Sequence, residues 1–107
     1  MPKYLALCKY SQASYHGLAK ETPSAREKFL RSLYEANGAR VECAYWTLGG
    51  NYTIAIILEC TRDIGMAITT AVMASGALTD ANIFELMTSA EMDTALSNPI
   101  AYRPPGT

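Results

Sequence analysis

Residues 39–60 read ARVECAYW (39–46), TLGGN (47–51) and YTIAIILEC (52–60), two runs of β-branched and aromatic side chains either side of a glycine pair. Such side chains suit a pleated, half-buried surface. Gly49-Gly50-Asn51 supplies residue types that tolerate the positive φ angles of a tight hairpin turn. The pattern predicts a β-hairpin. Strict alternation puts Val41, Cys43, Tyr45 and Thr47 on one face of the first strand, and Glu42, Ala44, Trp46 and Leu48 on the other. The return strand, Tyr52–Leu58, is apolar on both faces apart from Thr53. A strand of that kind is normally covered on both sides, and the expected assembly rests on this.

Upstream, Tyr4–Tyr10 (YLALCKY) forms another strand with two largely apolar faces. Ser11–Lys20 reads as a short helix or a structured loop, Gly17 weakening the helix. Thr22-Pro23 is a helix start, a capping hydroxyl followed by proline at the first helical position. Ala25, Phe29, Leu30, Leu33 and Ala36 then share a stripe, with Arg26, Glu27, Lys28, Arg31 and Glu35 toward water, until Asn37-Gly38 ends the helix. Downstream, Thr61-Arg62-Asp63 opens a helix over about Ile64–Ser75, stopped by Gly76. Its apolar residues spread round the whole circumference, which predicts cover on more than one side. Asn82–Met87 is the fourth strand, and Thr88-Ser89-Ala90-Glu91 is a capping box that opens a third helix through Leu96.

The order β-α-β-β-α-β with a terminal helix predicts an α+β, ferredoxin-like sandwich: four antiparallel strands with two helices on one face. The domain spans residues 1–98, and an extended tail covers 99–107. Because the strands are apolar on both faces, the face without helices is expected to close against a second copy. The expected assembly is a homodimer through the sheet face, a dimeric α/β barrel.

Composition narrows the partners. With 107 residues, half of them hydrophobic, the chain can bury a core without disulfides or metal. A net charge of -1 gives no electrostatic reason to expect nucleic acid or an anionic membrane. The least charged run, Ile64–Thr79, is too short and too polar to span a bilayer. Met-Pro-Lys-Tyr leads straight into a strand, so no signal peptide is expected and the chain is placed in the cytoplasm. Cys8, Cys43 and Cys60 have neither disulfide nor zinc spacing and are expected to be buried free thiols. No metal and no cofactor is expected.

The chain resembles the GYD-domain family, small bacterial and archaeal proteins of the dimeric α/β-barrel, ferredoxin-like group. The resemblance runs from Pro2-Lys3-Tyr4 to Met92. It is carried by Tyr45-Trp46-Thr47-Leu48-Gly49 running into Gly50-Asn51-Tyr52, by Ser75-Gly76-Ala77-Leu78-Thr79, and by Leu86-Met87-Thr88 with Glu91-Met92. The Gly-Tyr-Asp signature of that family corresponds here to Gly50, Tyr52 and Thr53, with one extra residue in the turn and threonine in place of aspartate. The resemblance implies the fold and the dimer and assigns no biochemical activity.

Tyr10, Tyr15, Tyr34, Tyr45, Trp46 and Tyr52 form the most suggestive group of side chains. Aromatic walls with a few hydroxyl handles suit a flat or apolar small molecule, though such rings also serve simply as packing. Tyr10, Tyr15, His16, Tyr45, Trp46 and Tyr52 are therefore the candidate ligand-binding residues, in a cleft between sheet and helices. His16, the sole histidine, and Glu85, flanked by Phe84 and Leu86 and expected to be partly buried, are the candidate acid–base groups. Three readings compete: a homodimer that binds a small, partly apolar or aromatic ligand, preferred here; a cofactor-independent enzyme of monooxygenase, isomerase or cyclase type; and a purely structural or interaction dimer. An enclosed cavity favours the first two, and an acid–base group pointing into it favours the second.

Overall fold

The computed structural model describes residues 1–107. The elements are β1 (Lys3–Tyr10), α1 (Gln12–Glu21), α2 (Pro23–Ala36), β2 (Arg40–Trp46), β3 (Ile54–Glu59), α3 (Arg62–Ala74), β4 (Leu78–Leu86) and α4 (Ser89–Leu96). The strands form one antiparallel sheet in the order β2-β3-β1-β4. This is the α+β, ferredoxin-like arrangement, with a helix pair in the first crossover and a terminal helix added.

The segment after β1 is helical. Ser11 caps α1 by accepting from the Ser14 N–H, and the Ser14 hydroxyl donates to the Ala77 carbonyl at 2.7 Å, tying α1 to the start of β4. Thr22 ends α1 and caps α2 by accepting from the Ala25 N–H, with Pro23 in the first turn. To serve both helices its backbone takes φ 88°, a region β-branched residues rarely visit.

Register sorts the side chains into two faces. Ala6, Ile56 and Ala44 lie side by side on the inner face, as do Tyr4 with Leu58 and Cys8 with Ile54. Leu5, Ile57 and Phe84 lie side by side on the outer face, with Leu7 and Ala55 beside them. The buried core is entirely on the inner side: Ala6, Val41, Ile54, Ile56, Leu58, Cys60 and Ala39 in one cluster, and Ile68 of α3 nearby. Leu30, Tyr34 and Ile64 close it from the helices. Removing an Ile such as Ile54 would forfeit about 2–5 kcal/mol.

Five local expectations need correction. Alternation along β2 is broken by a bulge between Val41 and Cys43. Val41 therefore shares the inner face with Ala44 and Trp46, while Cys43 and Tyr45 face outward, because one extra residue flips every later side chain. Arg31 of α2 donates to the Val41 carbonyl at 2.9 Å beside the bulge. The hairpin connection is longer than the tight turn expected at Gly49-Gly50-Asn51: it is a loop from Thr47 to Thr53, with Gly49 and Gly50 both at positive φ. The fourth strand begins at Leu78, four residues earlier than its composition suggests, because Asp80 pairs with Lys9 and Leu78 with Tyr10 around a second bulge. Helix α3 is not enclosed: only Ile68 is buried, and Met66 is 69% exposed. Glu85 is exposed although it shares the inner face with Tyr4: it lies on the edge strand β4, and its apolar neighbours Phe84 and Leu86 point the other way.

The outer face stays open within one chain. Tyr45 is 70% and Phe84 51% exposed there, and every residue from Met87 to Thr107 is exposed, so the tail does not blanket the sheet. Lys3 reaches Glu42 at 3.2 Å and Glu59 at 3.8 Å, and Arg40 meets Glu59 at 3.2 Å, a small ionic group at one end of the outer surface.

A cavity between the sheet and the helices

Between the inner face of the sheet and α1, α2 and α3 lies a cavity of about 570 Å³. Its floor is Ala6, Cys8 and Tyr10 of β1, Ile54 and Ile56 of β3, and Ala81 and Ile83 of β4. Phe29, Leu30, Leu33 and Tyr34 of α2 form one wall, and Ile68, Thr69 and Val72 of α3 the other. Eighteen of its 25 lining residues are hydrophobic. The small floor residues explain the space: Ala6, Cys8 and Ala81, where larger side chains would fill it. A smaller pocket of about 260 Å³ adjoins it, sharing Ala6, Tyr34, Thr69 and Ile83.

One end of the cavity is built by aromatic rings around a buried threonine. Tyr10 stands between Tyr15 and Trp46, its ring centroid 6.0 Å from each, edge-on to Trp46 and tilted to Tyr15. Thr53, 5% exposed, accepts the Tyr10 N–H at 2.9 Å, and its hydroxyl lies 2.6 Å from that of Tyr15. The Thr53 N–H donates in turn to the Cys8 carbonyl. The hairpin loop, β1 and α1 thus meet on one side chain.

Electrostatics follow from burial. Burial pushes the Cys8 thiol up to about 11 and the Tyr34 hydroxyl up to about 12, so both are neutral at physiological pH. Burial also raises Tyr10, and the Arg26 guanidinium nearby partly opposes it. Arg26 is the one charged residue in the lining. It bonds Glu21 at 2.6 Å and lies over the Phe29 ring at 4.7 Å.

Of the candidate ligand residues, Tyr10 lines the cavity, and Tyr15 and Trp46 back it through Tyr10. Tyr45 is on the outer face. Tyr52 also serves that side, where its hydroxyl accepts from Asn82 of β4, which pairs with the outward Leu7. His16 is exposed on α1 and Glu85 on β4, and neither lines the cavity. No group of three His, Cys, Asp or Glu side chains is placed to hold a metal ion. No helix is long and apolar enough to cross a membrane.

Residues that pattern reading passed over are Cys8, Arg26 and the Phe29–Tyr34 stretch. Arg26 was expected to face water because it falls on the charged side of α2. Helix α1, packed beside α2 and β1, brings it to the rim instead. Tyr34 belonged to the aromatic group, but its interruption of the polar face was the only mark of its position.

An antiparallel sheet in this order, with an apolar cavity beneath its helices, defines a ferredoxin-like α+β protein. The model of the GYD domain family matches residues 4–96, nearly the whole chain, and the chain belongs to that family. Comparison with curated proteins and with solved structures gives no match.

Proposed function

We propose that this GYD-domain protein is a homodimer, joined through the outer face of the sheet, that binds a small, partly apolar ligand in the cavity between sheet and helices. The observation that carries the binding reading is the cavity itself: about 570 Å³ with a predominantly hydrophobic lining, the size and character of a small-molecule site. The dimer reading is supported by Leu5, Leu7, Ile57, Tyr45 and Phe84, which make a contiguous apolar outer surface that the tail leaves uncovered. Two such faces stack naturally as a sheet sandwich. Binding is preferred over catalysis because the candidate acid–base groups, His16 and Glu85, stand outside the cavity.

The test is a thermal-shift screen against apolar and aromatic metabolites, with Ala81→Phe alongside. Ala81 sits on the cavity floor opposite Cys8, so phenylalanine there occupies the ligand's volume. Ligands that raise the melting temperature of the parent chain should fail to raise that of the folded variant. A panel that shifts neither, or both equally, would remove the binding reading.

A further inference from the structure

The polar groups of the cavity are not evenly divided between hydrogen-bond donors and acceptors. Three serines line it, and each spends its hydrogen within the protein: Ser11 on Ser14, Ser14 on the Ala77 carbonyl, and Ser75 on the Val72 carbonyl. The hydroxyls of Tyr10 and Tyr34 have no such partner. Every fully enclosed side-chain oxygen or nitrogen in the chain is satisfied, so neither hydroxyl is fully enclosed, and both residues line the cavity. Thr69 adds a hydroxyl from α3. No aspartate or glutamate lines the cavity, and its single charge is the Arg26 guanidinium. The Cys8 thiol, raised to about 11 by burial, contributes no negative charge.

Arg26 is held in a way that leaves it able to receive an anion. Glu21 takes one terminal nitrogen, Nη2, at 2.6 Å, and Phe29 supports the guanidinium plane at 4.7 Å. The remaining N–H groups of the fork are left for a second acceptor. Tyr10 and Arg26 both line the cavity, and the Arg26 charge partly opposes the rise that burial gives the Tyr10 hydroxyl. Ile68 and Val72 on the α3 wall and Ile83 on the floor offer hydrocarbon.

We infer that the ligand is an apolar monocarboxylic acid, its carboxylate received by Arg26 and the Tyr10 hydroxyl and its aliphatic or aromatic body lying on the Ile68–Ile83 side. The inference rests on the proposed binding function and names the chemical class that the cavity selects. A cationic head would find no carboxylate in the lining, and a neutral alcohol could accept from Arg26 but would bring neither the opposite charge nor the second oxygen of a carboxylate.

Calorimetric titration with decanoate, decanol and decylamine, each below its aggregation threshold, separates the possibilities. Decanoate should bind about ten-fold more tightly than decanol, the added worth of the opposite charge and the second acceptor oxygen, and decylamine most weakly. Arg26→Gln should abolish the preference for the acid over the alcohol. Glu21→Gln, which removes the competing carboxylate without touching the cavity lining, should tighten decanoate alone. A merely structural Arg26–Glu21 pair would not produce that gain. If decanol equals decanoate in the parent chain, or Glu21→Gln leaves decanoate affinity unmoved, the acid inference fails while the binding function stands. If none of the three probes binds, the binding function falls with it.

Discussion

The Tyr15 hydroxyl lies 2.6 Å from the Thr53 hydroxyl, a bond between α1 and the end of the hairpin loop across 38 residues of chain. Thr53 also accepts the Tyr10 N–H at 2.9 Å, so one buried side chain fixes both the aromatic end of the cavity and the helix above it. Thr53→Val, close in shape but without the oxygen, should cost about 2 kcal/mol, since it strands a backbone donor and a phenol together. Tyr15→Phe should cost about 1 kcal/mol, and the double variant should cost less than the sum. Urea denaturation of the four chains measures the coupling, and strict additivity would contradict it. An aspartate at this position can accept both hydrogens, so Thr53→Asp should retain both bonds and be better tolerated than Thr53→Val.

The segments differ in how far their own residues dictate their structure. Ile54–Glu59 is apolar at every position but the last and could be little other than a central strand, and Thr22-Pro23 marks the start of α2 by side-chain chemistry alone. The bulge at Val41 and Cys43 left no such trace. It is a choice between two registers of the same residues, decided by pairing with β3 and by the Arg31 bond to Val41. The first residues of β4, Leu78-Thr79-Asp80-Ala81, have poor strand composition and are extended because β1 offers them a ladder. In the cavity, Tyr10 was legible as an inward aromatic residue on a strand. Arg26 and Tyr34 were not: Arg26 depends on where α1 lies and Tyr34 on its packing against the core cluster, and no local pattern in α2 encodes either.

Alkali should weaken the fold through the cavity floor and wall. Burial raises Cys8 to about 11 and Tyr34 to about 12 in the folded chain, above the values of about 9 and 10 expected once unfolded. Both groups are neutral when protonated, so the unfolded chain loses its protons first. Their contribution is intact below about pH 9 and is lost progressively as pH rises through 11 and 12. Each shift corresponds to at most roughly 3 kcal/mol. Cys8→Ala and Tyr34→Phe should each flatten the fall in unfolding free energy between pH 9 and 12. A profile unchanged by both substitutions would refute the assignment.

Gly65 is set by close approach rather than by turn geometry. A Cβ on it would stand 3.0 Å from the Cys60 sulfur, and Cys60 is 1% exposed and hemmed in. Gly65→Ala should therefore lower stability by about 1 kcal/mol, although alanine is the better helix former by about as much. In a Cys60→Ala background the same substitution should become stabilising. Loss of stability in both backgrounds would place the cause elsewhere.

Self-association is expected to depend on the outer face. Light scattering should return twice the 11.6 kDa of a single chain, and Phe84→Glu should return the single-chain mass while keeping the far-ultraviolet dichroism of the folded protein. Phe84 is already half exposed within one chain, so the charge is costly only where a second copy covers it. A monomeric parent chain, or a Phe84→Glu variant that stays dimeric, would contradict the sheet-face assembly.

The most direct measurement records nuclear Overhauser effects between the methylene protons of decanoate and the methyl groups of the protein. A ligand beneath the helices must touch Ile56, Ile68 and Ile83, which line the cavity, and must miss Leu5, Leu7 and Ile57 on the opposite face of the sheet. Cross-peaks confined to the first group are the expected result; cross-peaks to the second group, or to neither, would contradict the account.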